Sequence, residues 1–161
     1  MQFIKYSRAF TLIEMMVVVS IIAILALMAT PSMDSKVTRA QVIESMELIK
    51  QYKENVNAIY QQNKFFPKNN QDAGMPKPEL LLGNFVERIE LIDGAFHVTF
   101  GSKAHSALKN KILSMRPIVV KGSPDSPNSW VCGGAAIPEG MMAIGNNLTN
   151  IDGKYLPINC F

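Results

Sequence analysis

The stretch FTLIEMMVVVSIIAILALMAT, from Phe10 to Thr30, is 21 residues long and carries one charge, Glu14. At about 1.5 Å per residue a helix of this length reaches roughly 30 Å, the depth of one hydrocarbon core. It therefore predicts a membrane segment. The nine residues before it, MQFIKYSRA, hold Lys5 and Arg8 and no acid. A positive flank keeps the N-terminus cytoplasmic and sends the rest of the chain across. Glu14 is the odd residue, because a carboxylate in hydrocarbon costs on the order of 2.5–3.5 kcal/mol even on lenient scales. The segment has no basic side chain to pair with it. One candidate partner is an α-amino group freed by a cut just before Phe10, four residues away in the same chain or close by in a neighbour. The alternative is a carboxylate that snorkels to the interface.

A secretory signal peptide competes with this reading. Its apolar region is shorter and is followed by small residues of A-x-A type. Here Ile24 stands two places before Ala26 and Leu27 two before Ala29, so no good cut site follows the run. A short basic leader ending in a small residue, Ala9, is a different design, cut on the cytoplasmic side. Ala9-Phe10-Thr11-Leu12-Ile13-Glu14, followed by the apolar run, resembles the processing site of type IV prepilins. The resemblance implies that leader 1–9 is removed between Ala9 and Phe10. It implies N-methylation of Phe10, both steps by a prepilin peptidase/methyltransferase. It gives Glu14 a subunit-assembly role and places a helix kink at Pro31. The family usually has Gly before the cut, where this chain has Ala9. The motif covers about 25 residues and marks the superfamily, not one role within it.

The chain has 161 residues, 48% hydrophobic, with 16 Lys+Arg against 13 Asp+Glu. This excludes disorder of the whole chain, and a net charge of +3 is too small to imply nucleic acid. Without Lys5 and Arg8 the balance is 14 basic to 13 acidic. Pro31 cannot bond the carbonyl of Leu27, so residues 27–31 read as a hinge in a helix that continues. Ser20, Ala23, Ala26 and Ala29 are small residues three apart, weak support for helix bundling. Val42, Met46, Ile49, Tyr52, Val56 and Ile59 then recur at helical steps, predicting an amphipathic helix over 32–61. Residues 62–84 read as a loop anchored by Phe65 and Phe66. From 85 to 121 the period becomes two. Ile89 and Leu91, then Phe96, Val98 and Phe100, flank the turn signal Asp93-Gly94. A third strand follows over 112–120, with Pro117 marking an edge or bulge. The expected class is α+β: a long kinked helix, its membrane half 10–31, packed on an antiparallel sheet with one apolar face. Residues 122–161 form the C-terminal region.

Cys132 and Cys160 are the only cysteines. The exported side of such a membrane is oxidising, so they are expected to pair. Closing 29 residues removes chain entropy worth roughly 3.5 kcal/mol. A Cys pair enclosing a C-terminal loop, with Trp130 before the first and Tyr155-Leu156-Pro157 before the second, is similar to the disulfide region of type IVa pilins. No metal or cofactor is expected, since there is no C-x-x-C and only His97 and His105. No catalytic motif is present, and Ser102 and Ser106 beside His105 do not make a triad. Asn147-Leu148-Thr149 is a glycosylation-type triplet of a kind common by chance.

Five basic residues, Lys103, Lys109, Lys111, Arg116 and Lys121, lie between Gly94 and Pro124 without an acid. They are a candidate anion or DNA surface. Alternatively Glu79, Glu87, Glu90 and Asp93 neutralise them, or they face acids of a neighbouring subunit. Together the resemblance implies a structural subunit of an extracellular type IV pilus (fimbrium), not an enzyme. It implies a single-pass inner-membrane protein before assembly. Its partners would be other pilin subunits in a homopolymer, the prepilin peptidase and the pilus assembly platform. The filament would serve adhesion, twitching motility or DNA uptake. The rivals are a minor pilin, a type II secretion pseudopilin, and a membrane-anchored binding module that never polymerises.

Overall fold

The computed structural model describes residues 10–29 and 33–161. They divide into two compact units, with the boundary after Met33. The first holds one helix, α1 (Leu12–Ala29), 18 residues long. Its aliphatic and methionine side chains from Leu12 to Met28 are all exposed, from 46% at Val18 to 79% at Met28. Among the described residues no helix is long and apolar enough to cross a membrane. An 18-residue helix is about 27 Å long, against roughly 30 Å of hydrocarbon. The expected span 10–31 runs on past Ala29. The kink expected at Pro31, like Ala9 and the leader, lies outside the described residues.

The second unit is the head. Its helices are α2 (Met33–Leu48) and α3 (Lys50–Asn63), where the sequence predicted one helix. The interruption is a single residue. Ile49 is wholly buried, with φ −88° and ψ −6°, and its carbonyl accepts from both Tyr52 N and Lys53 N. One turn is thereby tightened, as at the 3-10 ends of many helices. Val42, Ile49 and Val56 of the expected stripe are fully buried, and Met46, Tyr52 and Ile59 pack at its margin. The stripe also contains Thr38 and Ser45, both fully buried. Their hydroxyls bond Asp34 O and Val42 O of their own helix, which removes the cost of burying them.

Loop 64–85 holds down the edge of the sheet. Phe66 stacks on Tyr60, ring centroids 4.2 Å apart, while Phe65 is 64% exposed. Only one of the two expected anchors therefore serves. Asn70 does more. Its side-chain amide donates to Ile89 O and its carbonyl accepts from Leu91 N, completing the free edge of the first strand. A buried amide bridging two backbone groups covers an edge that would otherwise template foreign strands.

The sheet is antiparallel with five strands: β1 (Val86–Ile92), β2 (Ala95–Phe100), β3 (Ile112–Val120), β4 (Ser129–Cys132) and β5 (Met141–Ala143). Asp93 and Gly94 join β1 to β2 with φ of 48° and 82°. Two successive positive φ values define the tight hairpin turn that Asp-Gly favours. β4 and β5 come from the C-terminal region, so 122–161 is part of the sheet rather than an appendage. Pro117 lies in a central strand, not at an edge. β2 pairs residues 112–115 of β3 and β5 pairs residues 118–120. Pro117 sits where β3 changes partner on that side, and there its missing N–H disrupts neither pairing. Its carbonyl accepts from Ile144 N.

One sheet face carries Phe96, Val98, Leu113 and Met115 into the core with the helix stripe. The other face is covered too. Residues 144–150 cross it: Ile144 N bonds Pro117 O, Leu148 N bonds Ser114 Oγ, and Asn150 N bonds Ile112 O. His97 and Ser114 are buried beneath this strap, 4% and 0% exposed. His97 Nδ1 lies 2.9 Å from Ser114 Oγ. The same hydroxyl accepts from Leu148 N, so it joins the His97 ring to the strap. Burial holds the His97 pKa below its ordinary 6.5, partly offset by Glu90 opposite it. An unfolded chain therefore takes up a proton near pH 6.5 that the native head resists. Stability should fall as the pH drops below 6.5, by up to about 1.4 kcal/mol per pH unit until His97 titrates in the folded state. Urea unfolding at pH 7.5, 6.0 and 5.0 should show this fall, and it should flatten in His97→Gln. An equal fall in the variant would assign the acid sensitivity elsewhere.

Candidate functional site

The candidate assembly site begins at Thr11. Its hydroxyl and backbone N–H both donate to Glu14 Oε2 at 2.8 Å, and Glu14 N–H donates back to Thr11 Oγ1 at 3.3 Å. α1 starts at Leu12, so Thr11 is the N-cap and Glu14 the third helical residue. This is a capping box, which satisfies two of the N–H groups that every helix start leaves without a partner. The T-x-x-E spacing stands in the sequence, hidden behind the longer prepilin motif that contains it. Glu14 thus has a local role in addition to any assembly role. Thr11 orients the carboxylate and partly satisfies it.

Behind the cap, Ile13, Met16, Val17, Ser20, Ile21 and Ile24 line an open apolar groove of about 360 Å³ on one side of α1. Ser20 does not break its apolar character, because the hydroxyl bonds Met16 O in the preceding turn. A helix apolar all round is stable in lipid or when buried against other chains.

At the other end of the chain, Cys132 and Cys160 form a disulfide. It ties the tail to β4, and Gly134 N bonds Cys160 O beside it. Gly133 has φ +54°, and a Cβ there would lie 2.5 Å from Cys160 O. Only glycine allows the tail to come this close. Trp130 tilts against Phe96 and donates from Nε1 to Asn57 Oδ1 on α3. Leu156 is buried in the core beside the bridge.

The five basic residues do not form one surface. Lys103, Lys109 and Lys111 stand in the β2–β3 connection, while Lys121 follows the far end of β3. At about 3.3 Å per residue, the nine-residue strand between them separates the two groups by about 30 Å. Arg116 is half-buried on the strap-covered face of the sheet, its Nη2 3.4 Å from Gly133 O and its buried Nε without a partner. The β2–β3 connection is itself docked on the first turns of α2. His105 Nε2 lies 2.7 Å from Asp34 Oδ1, and His105 N donates to Gln41 Oε1. Arg39 Nε donates to Lys154 O in the turn before the tail. Asn147 and Thr149 of the glycosylation-type triplet serve the strap: Asn147 Nδ2 bonds Gly133 O and Thr149 Oγ1 accepts from Ser114 N. Among the described residues no group of three or more His, Cys, Asp or Glu could hold a metal ion.

A capped apolar helix attached to a helix-on-sheet head with a disulfide-tied tail is a specific combination, and the sequence comparisons agree with it. A family model described as Pilin (bacterial filament) matches residues 38–161, most of the chain. The chain belongs to the pilin family. A second model, the prokaryotic N-terminal methylation motif, matches residues 4–30, which span Ala9, Phe10 and Glu14. This pilin is 33% identical over 159 residues to a type IV major pilin protein of Neisseria gonorrhoeae, covering 95% of this chain and 86% of that one. It is 30% identical over 162 residues to a fimbrial protein of Neisseria meningitidis serogroup B, covering 95% and 93%. A fimbrial protein of Pseudomonas aeruginosa is 30% identical over 122 residues, covering 69% of this pilin and 79% of the other. The pilin is therefore a structural subunit of a pilus and not an enzyme. The methylation motif marks a precursor processed by a peptidase.

Proposed function

We propose that this pilin is held in the inner membrane by its apolar segment 10–31, is cut between Ala9 and Phe10, is methylated on Phe10, and polymerises through α1. The carrying observation is the continuous exposure of the apolar side chains of α1. Once a subunit leaves the bilayer these side chains must be reburied, and packing α1 against the same helix of other subunits does so at roughly 25 cal/mol per Å². Glu14 then exchanges the local cap for the N-terminal amine of a neighbour, which sets the axial register. The contact joins different faces of identical subunits, so the assembly is open and grows as a fibre. Such a fibre, grown on an assembly platform, would support adhesion, twitching movement or DNA uptake.

Intact-mass measurement of sheared surface fibres and of membranes tests this. The expected dominant species in the fibres starts at Phe10, carries one methyl group and lacks the two hydrogens of the disulfide. The same species in trace, or only in membranes, would mark a minor pilin or a pseudopilin. A chain that still begins at Met1 would mark an anchored module that does not polymerise.

A further inference from the structure

We infer that the end of the head at the start of α2 is an electrostatic footing for anionic phospholipid headgroups, which holds the head of the waiting subunit against the membrane. The inference rests on the membrane residence proposed above, and it concerns a surface that α1 does not supply.

Three segments distant in sequence meet at the start of α2. The 101–111 connection is tied to it through His105, with Asp34 and Gln41 as partners. The turn at 153–155 is tied to it through Arg39 and the carbonyl of Lys154. These segments bring Lys36, Arg39, Lys103, Lys109 and Lys154 to one end of the head, all of them exposed. Two of the acids there already have partners: Asp34 bonds His105, and Asp152 lies 3.4 Å from Lys154 Nζ. A third, Glu87, lines the cleft beside Lys103. The basic excess survives all three.

The rest of the head is balanced in charge. Residues 33–161 hold 14 basic and 12 acidic side chains, so once the five basic residues and three acids of this end are set aside, nine of each sign remain. On the helices beyond Arg39, Glu44, Glu47 and Glu54 stand against Lys50 and Lys53, with Lys50 3.4 Å from Glu47. Glu44 lies five residues past Arg39, about 7.5 Å along the axis, or roughly one Debye length. A negative membrane surface therefore attracts this end of the head more strongly than the charge-balanced remainder. Only three residues, 30–32, join the first turn of α2 to the end of α1. Covalent connection thus brings this basic end to the level of the lipid headgroups whenever the apolar segment is in the membrane. Each Lys or Arg near an anionic surface strengthens binding by about fivefold at physiological salt.

The test uses the head, residues 33–161, which contains the whole buried core and the disulfide. Flotation with vesicles of phosphatidylglycerol and phosphatidylcholine should show binding to the mixture and none to pure phosphatidylcholine, weakening steeply with salt. Lys103→Glu with Lys109→Glu should reduce binding by about tenfold or more. Lys68→Glu with Lys121→Glu, at the far end of β3, should change it by less than about twofold, and thermal melts should show both variants folded. Equal binding to both vesicle types, or no effect of the Lys103/Lys109 pair, would overturn the inference. So would a fibre defect in that pair with unchanged vesicle binding, which would assign the surface to a neighbouring pilin. Equally tight binding of a duplex oligonucleotide at the same salt would assign it to nucleic acid. The assay contains no fibres, so its failure leaves polymerisation through α1 intact. Absence of fibres in the mass experiment would likewise leave the vesicle result standing.

Discussion

Cells that co-express wild-type pilin and Glu14→Ala should build fibres from which the variant is depleted at least tenfold. Three groups meet in the proposed contact: the Glu14 carboxylate, Thr11 of the same chain, and the N-terminal amine of a neighbour. Removing the carboxylate leaves that amine charged among apolar helices, and an uncompensated buried charge costs about 3–5 kcal/mol, more than a hundredfold in an equilibrium. The capping box contributes a smaller effect of about 1 kcal/mol, felt by the monomer as well. Two further variants separate these. Glu14→Gln keeps an oxygen for Thr11 and removes the charge, so it should be depleted nearly as strongly as Glu14→Ala. Thr11→Ala loses the side-chain cap but keeps the charge, so it should incorporate within a few-fold of wild type. The fraction of each variant in sheared fibres, read by mass, decides between them. Normal incorporation of Glu14→Gln would show that the carboxylate acts only as a cap and that no charge pair holds the subunits. Thermal melts of all three heads should coincide, because the buried core draws on residues from Val42 onward.

The second large effect concerns the disulfide. Cys132 and Cys160 are 28 residues apart in sequence. Opening that loop releases chain entropy equivalent to about 3.5 kcal/mol. For a head of roughly 130 residues this lowers Tm by about 10–15 °C. Cys160→Ser should therefore give a marginal head, and the loss should be uneven. The tail bonded at Gly134 should loosen first, followed by strap 144–150, whose two ends depend on β5 and on Ile112. Hydrogen exchange should show early loss of protection at Gly134, Leu148 and Asn150. Protection at the β1–β2 hairpin, closed by its Asp-Gly turn and the Asn70 bridge, should persist. Uniform loss across the head would mean that the strap and the sheet unfold as one unit.

Elements decided by local chemistry were readable in advance. The apolar run from Phe10 predicts a helix that must be covered, because Leu, Ile, Val and Met at every position leave it no polar face. The helical recurrence from Val42 to Ile59 and the two-residue alternation around Asp93-Gly94 placed α2, α3, β1 and β2. Ile112 to Val120 was recognisable as a strand from its apolar content. The elements missed were those whose stability comes from distant residues. β4 and β5 have four and three residues, too few to show a period, and they exist because β3 offers backbone partners. Pro117 pointed to an edge or bulge, and it lies in the centre only because β3 changes partner at that residue. The sheet was expected to have one apolar face, yet His97 and Ser114 on its other face are 4% and 0% exposed. They are buried because a segment some thirty residues further along the chain crosses them.

The same division runs through the functional surface. Ala9, Phe10 and Glu14, the residues proposed for processing and pairing, are marked out by sequence alone, because the motif that carries them is made of near-consecutive residues. The five basic residues were grouped because they are neighbours in the chain, and an extended strand then separated them by about 30 Å. What gathers Lys36, Arg39, Lys103, Lys109 and Lys154 at one end of the head is docking through His105 and Arg39, which no spacing in the chain encodes. Sequence by itself determined an apolar helix and an α+β head, since hydrophobic periods and turn residues act over three or four positions. Tertiary structure alone decided which charges share a surface, because that depends on where segments more than sixty residues apart come to rest on the same helix.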